Sequence, residues 1–199
     1  MQELDNQRLD VVFRLLDGRL MRANASPVHL VVCGGAAMIA TGLRVRTTRD
    51  IDIVAILEEG RRLVAPVPLP AHLLQAAHEV AEVLDLPEGW LNNGPSRDKG
   101  GLFQMGLPCG LQDRLHARVY GSHLAVHFID RFDQVHLKLY AAVDRGGYHV
   151  ADLEALQPTS AELMQAAHWA LTHDVSEAFH QLLKEMLEVL GYGNVAQEL

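Results

Sequence analysis

The chain has 199 residues, 49% of them apolar, with 17 Lys and Arg against 25 Asp and Glu, for a formal charge of −8. That length and apolar content can bury a core as one domain, or as one domain with a helical appendage. The acidic balance excludes a broad basic face for nucleic acid, and no apolar run approaches the length of a membrane span. Cys33 and Cys109 form neither a CxxC pair nor a disulfide framework, so a reducing, cytoplasmic setting is expected, and with a polar, charged N-terminal stretch export is not expected.

Apolar residues at Leu9, Val12, Phe13, Leu15, Leu16 and Leu20 recur at helical spacing and predict a covering helix from about Leu4 to Met21, broken by Asn24-Ala25-Ser26-Pro27. The run His29 to Cys33 predicts a strand, Gly34-Gly35 a turn, and the residues that follow a short helix. Asp50-Ile51-Asp52-Ile53 then opens a second strand. Pro66, Pro68 and Pro70 interrupt regular structure before a helix from Ala71 to about Leu84. Trp90 is expected to anchor its loop on the core, and Asn92-Asn93-Gly94 is turn chemistry. Alternation predicts strands at Leu115 to Tyr120 and Leu124 to Asp130, joined through Gly121-Ser122. Helical spacing returns from Phe132 to Val143. Thr159 and Ser176 then cap two helices, running to about Leu171 and Leu190. The histidines His72, His78, His168, His173 and His180 lack metal-ligand spacing and are expected at the surface or at caps.

The chemistry concentrates between Val31 and Ile56. A glycine pair leaves backbone amides open to a close-approaching ligand, which makes Gly34 and Gly35 a candidate phosphate cradle. Period-two alternation places Asp50 and Asp52 on one strand face, roughly 6–7 Å apart, where they repel unless a cation lies between them. A divalent metal with oxygen ligands suits that pair, and Mg²⁺ commonly takes one or two carboxylates plus substrate phosphates. The alternative is a strand edge with two solvated aspartates. Arg44, Arg46 and Arg49 crowd the intervening loop, placed either to meet phosphates or to pair with acidic neighbours.

Gly34-Gly35, a spacer and Asp50-Ile51-Asp52-Ile53 together resemble the signature of the nucleotidyltransferase superfamily, with its DNA polymerase beta-like fold. The wording from Gly42 to Asp52 and the Leu86-Pro87-x-x-Trp90-Leu91-Asn92 stretch are most similar to a bacterial branch that includes AbiEii-like toxins and minimal nucleotidyltransferases. Lys138, Asp144-Arg145 and Asp152-Leu153-x-x-Leu156 resemble a second signature of that branch, with Tyr148-His149 standing where it shows Lys-Asp.

The resemblance implies an α/β fold: a small mixed sheet flanked by helices over 1–157, with a C-terminal helical hairpin over 158–199. It implies transfer of a nucleotidyl group from an NTP, with Asp50 and Asp52 holding Mg²⁺, or Mn²⁺, in a two-metal type site. Gly34, Gly35, Arg46, Arg49 and Arg145 would bind substrate, and Lys138 would neutralise the triphosphate. Asp152 would orient a basic group or the attacking hydroxyl. Lys138 and Asp152 as a surface ion pair is the competing reading. The family's third carboxylate comes from a strand after the double-aspartate strand, and here His127 occupies the middle of that strand, leaving Asp130 as the nearest acid and Asp113 further off. The implied acceptors are RNA or tRNA, a protein or a small molecule, and the implied partner is a cognate antitoxin. A catalytically degenerate nucleotide-binding or interaction module of the same fold is the alternative.

Overall fold

The computed structural model describes residues 3–43 and 47–199. Two compact units divide the chain, Met1–Asp130 and Arg131–Leu199. The helix predicted from Phe132 thus groups with the C-terminal helices in this division, while the resemblance implies a boundary after 157.

The first unit is built on one mixed sheet. Its central strand β1 (Val28–Cys33) runs antiparallel to β2 (Ile51–Glu58) and parallel to β6 (Leu124–Phe128). Outside these lie β3 (Arg62–Val64) on β2 and β5 (His116–Val119) on β6, and the short β4 (Leu91–Asn92) pairs with the start of β2. Five of the six β1 residues are buried, because a central strand has neighbours on both edges and cover on both faces. This explains why its sequence reads as an apolar run rather than as an alternation.

Helix α1 (Asn6–Arg22) starts at Asp5, whose side chain accepts from the Arg8 N–H, and buries Leu9, Val12, Phe13, Leu16 and Leu20. It packs against β6 and α3 (Ala71–Leu84). The Phe13 ring meets Phe128 edge to face at 6.2 Å, with both side chains essentially solvent-free, and burying each contributes roughly 1.5–3 kcal/mol. Trp90 is 2% exposed and donates its Nε1–H to the Ala77 carbonyl at 3.1 Å, so the expected anchor is present. Helix α2 (Gly34–Ala40) leaves β1, and a single turn, α4 (Leu102–Met105), precedes β5.

The second unit is helical among its described residues: α5 (Arg131–Arg145), α6 (Tyr148–Ala155), α7 (Ser160–His173), α8 (Glu177–Val189) and α9 (Gly193–Glu198). Thr159 and Glu162 form a reciprocal capping box at the start of α7, and Ser176 caps α8. Helix α5 packs on α6, α7 and α8. The fold class is therefore mixed α/β, as expected.

Candidate functional site

The glycine turn and the aspartate strand meet directly. In the β1–β2 ladder, Cys33 pairs with Asp52 after a register shift between Val31 and Val32, which brings Asp52 alongside the first residue of the turn. Gly34 has φ +69°, and a Cβ built there would sit 3.0 Å from Asp52 Oδ2. Both the backbone angle and the close carboxylate therefore select glycine at this position. Gly35, inside α2, carries no positive φ, so the two glycines do different work.

Asp50 and Asp52 differ more than alternation suggests. Strand β2 begins at Ile51, which leaves Asp50 just outside the ladder, exposed, with its Oδ1 accepting from Thr48 Oγ1 at 3.2 Å. Thr48 is itself fixed by a two-way backbone bridge to Leu4. Asp52 is within the strand and half-buried. Arg49 lies 4.0 Å from Glu3 with both side chains well exposed, matching the acidic-neighbour reading more than a fixed phosphate contact. Arg44 and Arg46 lie outside the described residues.

Strand β6 carries no acid. Its end falls at Phe128, so Asp130 lies past the strand, on the far side of β1 from β2. The Asp130 carboxylate bonds His116 Nε2 at 2.9 Å across the β5–β6 edge. Asp113 is exposed and 4.0 Å from Arg61. His127, in mid-strand, stacks on His29, with His29 Nδ1 3.3 Å from His127 Nε2. Burial lowers the pKa of His127, and the neighbouring His29 and Arg61 lower it further, favouring the neutral imidazole. Among the described residues, no group of three or more His, Cys, Asp or Glu is placed to hold a metal ion.

The remaining candidates belong to the second unit. Lys138 Nζ donates to Asp152 Oδ2 at 2.7 Å, with side-chain exposures of 6% and 0%, so the two do pair, but buried rather than at the surface as the competing reading had it. The ammonium also lies 5.8 Å from the Tyr148 ring centroid. Asp152 falls in the middle of α6, one helical turn after Tyr148 and on a face that meets α5. Arg145 is exposed and bonds its neighbour Asp144 at 3.1 Å.

His173, the last residue of α7, takes the capping alternative rather than the surface: it is buried at 9% exposure with Trp169 and Tyr140, its Nδ1 3.0 Å from the Trp169 carbonyl oxygen. Sequence reasoning missed one histidine feature. His29 precedes the glycine turn by five residues, and only the parallel β1–β6 register reveals its contact with His127. No protein-family model, curated protein or solved structure matches this chain.

Proposed function

We propose that the protein is a nucleotidyltransferase that moves a nucleotidyl group from an NTP to an acceptor, with Asp50 and Asp52 as the metal-holding carboxylates. The observation that carries this reading is the apposition of Gly34 and Asp52, a turn open only to glycine lying directly against a carboxylate. The donor set fits a hard divalent cation that draws its remaining oxygens from phosphates and water, since Mg²⁺ commonly takes one or two protein carboxylates. When bound, Mg²⁺ would neutralise charge on the phosphates of the in-line displacement. The chain's own contribution is positional: the β1–β2 ladder fixes Asp52, Thr48 orients Asp50, and the turn at Gly34 keeps side-chain bulk away from the substrate.

RNA or tRNA is the proposed acceptor, gripped locally because the net charge of −8 opposes a broad phosphate-binding face. A toxin role with a cognate antitoxin belongs to the same proposal. A second reading, a nucleotide-binding module without transferase activity, is favoured by one observation: the nearest acid to the expected third position, Asp130, is bonded to His116.

Calorimetric titration with each NTP, with and without Mg²⁺, tests the site. Labelled NTP incubated with total RNA tests the reaction. Metal-dependent binding lost in Asp50→Ala/Asp52→Ala, together with label incorporation, is the expected result. Binding without incorporation supports the inactive module, and unchanged NTP and Mg²⁺ binding in the double variant overturns the site.

A further inference from the structure

A separate cavity of about 690 Å³ lies at the other end of β1 from Gly34, where β1 begins and β2 ends. Its walls include apolar Pro27, Ile56, Leu57 and Pro70. A volume of this order, with apolar walls and a few polar groups, is typical of small-molecule sites.

The polar groups on its wall are not equally committed. Glu58 and Arg62 bond each other and cancel in charge. His29 bonds His127. Arg61, next in the chain to the lining residues, is turned to Gln112 and Asp113. One group remains: Glu59 makes no hydrogen bond or ion pair among the described residues. The Nε2 of His72 is shut off from solvent, and therefore from the cavity. The uncancelled charge facing the cavity is the Glu59 carboxylate, and a cleft with low-dielectric walls focuses that charge on what enters.

We infer that this cavity binds a small organic cation, an ammonium on an apolar body. The ammonium bonds Glu59, and the apolar body packs on Ile56, Leu57 and the prolines. The inference does not rest on the proposed nucleotidyl transfer, because none of its residues belongs to the Gly34–Asp52 site.

Three six-carbon probes of equal length separate the chemistry: hexylamine, hexanol and hexanoate. Titration of the full chain at neutral pH, followed by NMR shifts, is expected to show saturable hexylamine binding, weaker hexanol binding and no hexanoate binding. Glu59→Gln, at an exposed position that folding tolerates, should weaken hexylamine by about tenfold, as loss of a charged hydrogen bond implies. Glu188→Gln, on α8, should leave it unchanged. Hexanoate binding as tight as hexylamine, no saturation by hexylamine at millimolar concentration, or equal affinity in Glu59→Gln and wild type would each overturn the inference.

Discussion

Lys138 and Asp152 form a buried ion pair, 2.7 Å apart, between α5 and α6. Its two charges have left water together, and each depends on the other. Removing one partner from such a pair typically costs about 3–5 kcal/mol, because the survivor stays buried and uncompensated, whereas an apolar replacement of both is often neutral. Asp152→Ala should therefore lower the urea midpoint strongly, and Lys138→Met/Asp152→Leu should recover most of the loss. Equal destabilisation by the single and double variants would show that the pair is not the source.

The Gly34–Asp52 contact makes a different prediction. Gly34→Ala places a Cβ at φ +69° and 3.0 Å from Asp52 Oδ2, combining left-handed strain with displacement of the carboxylate. Left-handed backbone costs an L-residue roughly 1–2 kcal/mol, so a loss of about that size is expected in chemical denaturation. Metal-dependent NTP binding should fall further than stability does. Gly35→Ala carries no positive-φ penalty and should be the milder change in stability.

The capping box on α7 carries a pH signature. Glu162 accepts from Arg131 at 2.5 and 3.2 Å and from the Thr159 backbone at 2.8 Å. Those bonds, led by Arg131, pull its pKa from 4.5 down to about 2. A carboxyl depressed in the folded state adds stability that is complete above 4.5 and is lost as pH falls toward about 2. Glu162→Gln should destabilise by on the order of 1 kcal/mol at pH 7, after solvent screening, and flatten the stability curve across that acid window. Parallel curves for variant and wild type from pH 5 to pH 2 would refute this assignment.

His127 titrates in the next window up. Its lowered pKa means that the unfolded chain takes up a proton more readily than the folded one as pH falls below 6.5, so stability declines there. His127→Gln should remove part of that decline while leaving the curve above pH 7 nearly parallel to wild type. Thermal melts at a series of pH values read this directly.

Much of this molecule follows from local pattern. The covering helix, the 71–84 helix, the cap residues Thr159 and Ser176 and the anchoring of Trp90 are all written in spacing and residue type, because they depend on neighbours within one or two turns. The glycine turn followed by Asp52 was legible for the same reason. Long-range pairing was not. Whether Lys138 and Asp152 lie at the surface depends on how α5 and α6 pack, and helical periodicity reports a face without naming what covers it. Asp130 is an acid near the right strand in sequence, yet the ladder ends at Phe128 and its carboxylate turns to His116, a residue from the neighbouring strand. The sequence by itself determined the element types and placed glycine and aspartate in consecutive elements. Only the tertiary structure decided the Cys33–Asp52 register, the partner of each buried charge and the cavity beside Glu59 and His72, since all three arise where distant segments come within bonding distance.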